Sequence, residues 1–139
     1  MEVTNAVHPP TEQIHAFFAA PGDGPFVMVN LLKFHEVARY EDDPSLEISG
    51  REAYEAYGAE VTALVERLGG RMIYDGAVTG IILGEVEEMW DHIALVEYPS
   101  HEAFTAMLLS PEWAAIERHR VAGLAGQLNI RIEPTAREA

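Results

Sequence analysis

A helix with complete start and stop signals, placed between two short β-rich runs, most strongly constrains the fold of this chain. Ser49-Gly-Arg-Glu52 has capping-box spacing, because Ser stands at the N-cap and Glu follows three residues later. Behind it, apolar side chains recur at helical spacing until Gly69-Gly70 ends the pattern. The sequence therefore predicts a strand–helix–strand unit at this point.

The remaining elements follow from the same reading of periodicity and turn signals. A helix begins at Pro99-Ser100, restarts at Ser110-Pro-Glu112 and ends near Gly123, and a short helix from Thr11 precedes the breakers Pro21–Gly24. The predicted strands, short and rich in β-branched and apolar residues, are Phe26–Phe34, Arg71–Gly84, Asp91–Tyr98 and Gln127–Glu133.

This order predicts an α+β fold with the ferredoxin-like β-α-β-β-α-β arrangement. In that arrangement two helices cover one face of a four-stranded antiparallel sheet. The 139 residues suit one domain, with an N-terminal extension over 1–24, which carries the extra helix, and a ferredoxin-like core over 26–133.

Apolar residues on both faces of the central strands bear on assembly. In the first strand Phe26, Met28 and Leu32 alternate with Val27, Val29 and Leu31, and the third strand repeats the pattern. Because two helices protect only one face, the second face needs a cover. A symmetric partner sheet is the favoured cover, so we expect a homodimer through the sheet faces; the alternative cover is the N-terminal helix.

Composition excludes several classes of function. The net charge of −14 opposes nucleic acid and anionic membranes, and no basic cluster offsets it. No apolar run approaches a membrane span, the N-terminus lacks a secretion signal, and cysteine is absent, so we expect a cytoplasmic protein. The six histidines lack metal-binding spacing, and no dinucleotide or phosphate-loop motif occurs, so we expect neither a metal nor a cofactor.

Short motifs in the right order carry a resemblance to a known family. Gly69-Gly-Arg71, Glu97-Tyr-Pro-Ser100, Ala103-Phe104, and Ser110-Pro-Glu-Trp113 followed by Arg120 resemble the uncharacterised family called domain of unknown function 1330. The likeness covers residues 26–133 and implies that the chain belongs to the dimeric α+β barrel superfamily. The resembled family itself has no established common reaction. The N-terminal helix, the 35–48 loop and His119-Arg120 depart from its pattern.

Several polar residues are candidates for a site, each with a structural alternative. Asn30 lies mid-strand and either donates to a substrate carbonyl or bonds a neighbouring loop. Arg71 either clamps a carboxylate ligand or binds Glu97. Glu97, in an otherwise apolar strand, is a candidate general acid or base if buried, and a solvated strand-end residue if not.

Two neighbouring residues of the last helix add a second candidate proton carrier and a cation. His119 is a candidate proton shuttle, whereas Arg120 also suits the negative end of the helix dipole. Gly76, Gly80 and Gly84 predict space over one face of the second strand, with Tyr74 and a helix aromatic as walls; Trp113 and Arg120 complete the substrate-binding set.

Three functions follow as hypotheses from these residues and the resemblance. The first is an enzyme without a tightly bound cofactor that acts on an apolar carbonyl or carboxylate compound. Superfamily analogy implies oxygenation, isomerisation or cyclisation as its reaction. The second is a binding protein for a hydrophobic metabolite, and the third is a purely structural dimer. The acidic loop 35–48 is predicted to be either disordered or a functional cover.

Overall fold

The computed structural model describes residues 2–19 and 24–135 of the chain. Of the predicted breakers Pro21–Gly24, the first three therefore lie outside the described residues. In chain order the elements are α1 (Thr11–Ala19), β1 (Phe26–Phe34), α2 (Gly50–Arg67), β2 (Arg71–Ala77), β3 (His92–Tyr98), α3 (His101–Leu108), α4 (Pro111–Gly123) and β4 (Leu124–Ile132).

The four strands form one antiparallel sheet in the order β2-β3-β1-β4. The helices pack on one of its faces, which we call the inner face. There Phe26 and Met28 of β1 share a core with Val65 of α2, Val96 of β3 and Met107 of α3. The predicted α+β fold with ferredoxin-like order is confirmed.

Helix α2 begins and ends at the predicted signals. The Glu52 backbone N–H donates to the Ser49 hydroxyl at 3.0 Å, and the Glu52 carboxylate accepts from the Ser49 N–H at 3.4 Å. Gly69 stops the helix in the left-handed region, with φ of +89°. The positive φ explains why a glycine stands there.

The start of α2 touches the end of α4 at two glycines. A Cβ on Gly123 would lie 2.6 Å from the Gly50 carbonyl oxygen, and a Cβ on Gly50 would collide with the His35 carbonyl oxygen. These contacts are with backbone atoms, which cannot move aside as a flexible side chain can. Glycine at both positions therefore allows α2, α4 and the start of the 35–49 segment to meet.

We expect Gly123→Ala to lower the free energy of unfolding by about 1–3 kcal/mol, because the new methyl group overpacks a backbone contact. Urea denaturation monitored by circular dichroism measures the change. Gly58→Ala is the matched control: it also lies in a helix, but a Cβ there meets nothing within 4 Å. The control should stabilise the protein by about 0.5–1 kcal/mol through helix propensity. Equal effects of the two changes would contradict the overpacking argument.

The face of the sheet turned away from α2, α3 and α4, here called the outer face, is mainly apolar. Its central strands present Val27, Val29 and Leu31 of β1 beside Ile93 and Leu95 of β3. Edge strand β4 adds Leu128, Ile130 and Ile132, the last two exposed by nearly half. Both faces of the central strands are thus apolar, as the sequence indicates.

Helix α1 does not cover the outer face. Phe17 packs against Phe26 and Phe104 of the inner-face core, with ring centroids 5.9 and 5.7 Å apart. Arg131, opposite Met28 on the inner face, donates to the Phe17 carbonyl oxygen at 3.1 Å. The N-terminal helix therefore joins the helical layer, and the alternative cover considered from the sequence is wrong for the described residues.

The second strand is shorter than predicted and contains a bulge. It ends at Ala77 instead of Gly84, and the pairing with β3 shifts register between Met72 and Tyr74. The prediction that Gly76, Gly80 and Gly84 leave space over one face of this strand is wrong, because the strand stops before Gly80 and the bulge turns Gly76 to the side of Ile93. Residues 78–91 instead form a long connection, which we call the arm.

The 35–49 segment is ordered and packs against α4. The Arg39 backbone N–H donates to the Ala122 carbonyl oxygen at 2.9 Å, and the Ala38 N–H donates to the Ile48 carbonyl oxygen at 2.8 Å. Ala38 and Tyr40 are buried in a small apolar cluster with Ala122. Of the two alternatives for this loop, disorder is wrong.

Candidate functional site

A cavity of about 430 Å³ lies between α2 and the inner face of the sheet. Small residues leave this space: Ala94 is the buried neighbour of Asn30 on the sheet, and nothing lies within 4 Å of a Cβ built on Gly58 of α2. Val61, Val65 and other apolar side chains form part of the lining. The volume falls within the range of small-molecule sites.

A histidine and an aspartate meet at the cavity. His92 Nε2 lies 2.8 Å from Asp75 Oδ2, and both residues line the cavity. Asp75 comes from β2 and His92 from β3, and the bulge in β2 puts Asp75 opposite Ala94 on the inner face. The Asp75 side chain is 54% exposed, whereas that of His92 is mostly buried. The arrangement is a carboxylate that a ligand can reach, held by an imidazole.

Three tyrosines provide hydroxyl groups around the same space. Burial raises the pKa of Tyr54, Tyr57 and Tyr98 above the ordinary value of a tyrosine. The hydroxyls therefore stay protonated at neutral pH and can donate hydrogen bonds, but they cannot serve as bases. The Tyr57 hydroxyl accepts a hydrogen bond from Trp113 Nε1 at 3.1 Å, which leaves its own proton free to donate.

Arg51 is the cationic side chain in the cavity lining. Its guanidinium carbon lies 4.9 Å from the centre of the Phe34 ring, and Glu55 lines the cavity one helical turn further along α2. Arg51 is exposed, so it belongs to the rim. A ligand with one anionic group could pair there.

Asn30 lines the cavity, as its position in β1 suggests, but its amide is already bonded. Nδ2 donates to the carbonyl oxygens of Met28 and Ala94 at 3.3 and 3.2 Å, and Oδ1 accepts from Gln127 Nε2 at 3.0 Å. Both amide protons are therefore used by the sheet itself. These bonds support the structural alternative for Asn30, except that its partners lie on neighbouring strands and not on a loop.

Three candidates lie on the outer face, away from the cavity. Arg71 Nε donates to Glu97 Oε1 at 3.1 Å, which is the alternative pairing considered from the sequence. Tyr74 stands opposite Leu95 and is 69% exposed. Tyr74 is therefore not a wall of the inner-face cavity, because the bulge turns it outward. The ligand-binding and catalytic roles of Arg71 and Glu97 stay predictions.

The candidates on α4 lie apart from the cavity or reach it indirectly. Trp113 acts through Tyr57, whereas Arg120 donates twice to the Val7 carbonyl oxygen, at 2.9 and 2.6 Å, and so ties down the N-terminal segment. His119 Nδ1 lies 2.6 Å from the Tyr40 hydroxyl. Its catalytic role stays a prediction; in this structure it fastens the 35–49 segment to α4.

Sequence reasoning missed the Asp75–His92 pair. His92 was considered only for metal binding, and the described residues contain no group of three or more histidines and carboxylates able to hold a metal ion. The available signal was an acid near the end of one strand and a histidine at the start of the next. Pairing them requires the register across the arm and the bulge, which a single sequence does not reveal.

The His119 environment predicts a pH dependence of stability. Burial lowers the pKa of His119, and the neighbouring Arg118 lowers it further, while Asp42 and Glu60 oppose these effects. A folded-state pKa below the unfolded value means that the unfolded chain binds the proton more readily. The stability contributed by neutral His119 is therefore present above about pH 6.5 and is lost as the pH falls below that value.

We expect the unfolding free energy of the wild type to fall more steeply from about pH 7 to pH 5 than that of His119→Gln, because the variant cannot take up this proton. Urea denaturation at a series of pH values measures both slopes. Glutamine can still bond to the Tyr40 hydroxyl, so a difference between the two slopes reports protonation of His119 and not the loss of this hydrogen bond. Identical slopes would contradict the depressed pKa.

Comparisons with known proteins agree with this architecture. A family model described as Domain of unknown function (DUF1330) matches residues 44–131. The chain is 34% identical to the RPA0582 protein of unknown function from Rhodopseudomonas palustris, with a TM-score of 0.85 over 96% of this chain and 100% of that one. No curated protein gives a significant match.

More distant solved structures share the fold alone. A dimeric ferredoxin-like protein of unknown function from Jannaschia sp. CCS1 is 15% identical, with a TM-score of 0.54 over 80% of this chain and 100% of that one. SnoaB, a cofactor-independent oxygenase from Streptomyces nogalater, is 16% identical, with a TM-score of 0.51 over 84% of this chain and 96% of that one. No helix within the described part of the chain combines the length and apolar character needed to cross a membrane.

Proposed function

The chain belongs to the family Domain of unknown function (DUF1330), and on the basis of its cavity we propose that it is an enzyme that moves a proton on an apolar carbonyl compound. The observation that carries this proposal is the Asp75–His92 pair beside three neutral tyrosine hydroxyls. The likeness to an oxygenase contributes the fold only, because one fold serves many reactions.

Asp75 is the proton acceptor in this proposal. Its carboxylate takes a proton from the carbon next to the substrate carbonyl, and the electron pair of that C–H bond moves onto the carbonyl oxygen to give an enolate. His92 donates from Nε2 to Asp75 Oδ2 and so fixes the carboxylate; it is a positioning residue. With a β,γ-unsaturated ketone as substrate, the enolate is conjugated, and return of the proton to its γ-carbon completes an isomerisation without any other reactant.

The tyrosines stabilise the negative oxygen that forms. Tyr57 is buried and Tyr54 is partly buried, and both keep their protons because desolvation raises their pKa. A fixed hydroxyl donor in an apolar cavity stabilises developing charge more than water does. The predicted proton carriers His119 and Glu97 are not part of this step, since neither lines the cavity.

A binding protein for a hydrophobic metabolite is the second candidate. The observation that favours it is that Asp75 and His92 are near neighbours on the adjacent strands β2 and β3, so their bond also fastens the edge strand to the sheet. In that case a ligand would be held unchanged, with Arg51 and the tyrosine hydroxyls as its polar contacts.

Deuterium exchange at the α-carbon of 2-tetralone, an apolar aromatic ketone, tests the proton transfer. We expect the wild type to accelerate exchange in D₂O, followed by NMR, and Asp75→Asn to lose roughly tenfold or more of that rate. His92→Gln should retain part of it. Glu97→Gln, a carboxylate on the other face of the sheet, is the matched control and should exchange like the wild type.

Two outcomes would count against catalysis. Equal exchange by the wild type and Asp75→Asn would rule out Asp75 as the acceptor. Thermal stabilisation by 2-tetralone without any exchange, reduced in Tyr54→Phe, would favour the binding protein.

The proposal includes a homodimer formed through the outer faces of two sheets. A second copy supplies the cover that α1 does not, and an isologous pairing buries the same apolar residues on both copies. The related fold from Jannaschia is described as dimeric, which supports this assembly by analogy.

Sedimentation equilibrium at micromolar concentration tests the assembly. We expect a species of twice 15.4 kDa for the wild type and a monomer for Leu95→Lys, since the charge would be buried in the centre of the interface. Leu109→Lys is the matched control: Leu109 is an 80% exposed leucine that follows α3, and the variant should remain a dimer. A wild type that sediments as a monomer would refute the homodimer.

A further inference from the structure

The arm, residues 78–91, carries the most exposed apolar cluster among the described residues. Ile82 and Leu83 expose 104% and 88% of their reference areas, and Ile81 exposes 53%. We call these three residues the arm tip. Scattered apolar side chains are ordinary on a surface, but three consecutive exposed ones, two of which touch almost nothing, indicate an interaction site.

The stem of the arm is held in place by contacts on both sides. The Val78 N–H donates to the Asp91 carbonyl oxygen at 2.9 Å, and the Asp91 N–H donates to the Leu32 carbonyl oxygen at 2.7 Å. Asp91 Oδ2 also accepts from the Phe34 N–H at 2.8 Å. The tip is therefore carried on a fixed support.

Lys33 shows on which side of the sheet the arm stands. Side chains along β1 point to the two faces in turn, so Lys33 lies on the outer face with Leu31 and Val29. Lys33 Nζ donates to the Met89 carbonyl oxygen at 3.3 Å and lies 3.4 Å from Glu88 Oε1. The base of the arm, at Glu88 and Met89, therefore lies beside the outer face.

The arm tip adds to the apolar surface that is available for an interface. A standard interface buries about 800 Å² of accessible surface on each partner. Burial of Ile81, Ile82 and Leu83 would enlarge an interface that is formed by the outer face.

From these observations we infer that the arm is a dimerisation arm whose tip packs against a second copy of this chain. The inference rests on the proposed homodimer and names the segment that extends it beyond the sheet. An anionic membrane is a poorer occupant, because Glu85, Glu87 and Glu88 follow the tip directly and the chain is strongly acidic. In a two-fold assembly each copy contributes one arm, so two tips are covered at once.

The test replaces the tip without disturbing the protomer. Ile82→Ser/Leu83→Ser changes side chains that have almost no contacts within the chain, so we expect unchanged unfolding of the monomer and a dimer dissociation constant raised at least tenfold in sedimentation. Leu109→Ser is the matched control, since it removes a similarly exposed leucine away from the arm and the outer face, and it should leave the constant unchanged.

A second measurement uses the absence of cysteine in the chain. An environment-sensitive dye on Leu83→Cys should shift its emission to the blue as the protein concentration rises through the dissociation constant, and a dye on Ala115→Cys, exposed on α4, should not. A wild-type dimer whose constant is unaffected by the tip variant, with no dye shift, would overturn the arm while the homodimer stands. Binding of the wild type to phosphatidylcholine vesicles, lost in the tip variant, would overturn it in favour of a lipid surface.

Discussion

A single extra residue in β2 decides which side chains face the cavity. Because the register shifts between Met72 and Tyr74, Asp75 turns to the inner face beside His92, whereas Tyr74 turns outward. In a regular strand the two would exchange places, so the cavity would receive a phenol in place of a carboxylate. The chemistry proposed for this protein depends on that local irregularity more than on any residue of the hydrophobic core.

The fold could be predicted from the sequence because its signals are local. The Ser49–Glu52 capping box, the Ser110-Pro111 start and the uninterrupted strand Phe26–Phe34 each act within a few residues, and the structure has them at those positions. The candidate site depends on pairing between distant segments. The apolar strand around Glu97 allows either a buried acid or a solvated strand-end residue, and in the structure Glu97 pairs with Arg71 on the outer face. Only the register between β2 and β3 distinguishes the two cases.

The neutral tyrosines and the Asp75 carboxylate give the cavity an asymmetric character. Tyr54, Tyr57 and Tyr98 keep their protons at neutral pH and can donate hydrogen bonds, whereas the Asp75 carboxylate can only accept them. A bound carbonyl compound would therefore have a preferred orientation, with its oxygen towards α2 and its acidic carbon towards the edge strand. The Asn30 side-chain amide adds no competing donor, because both of its N–H groups already donate to backbone carbonyl oxygens.

The close contact of α2 with α4 also bears on how a ligand could reach the cavity. Backbone atoms meet at Gly50 and Gly123, and Trp113 holds Tyr57, so the helical roof of the cavity cannot lift without breaking the helical layer. The opposite wall is different, since β2 is paired to the sheet along one side only and most of its residues are exposed. A molecule that approaches Asp75, whose side chain is 54% exposed, would therefore do so along this outermost strand.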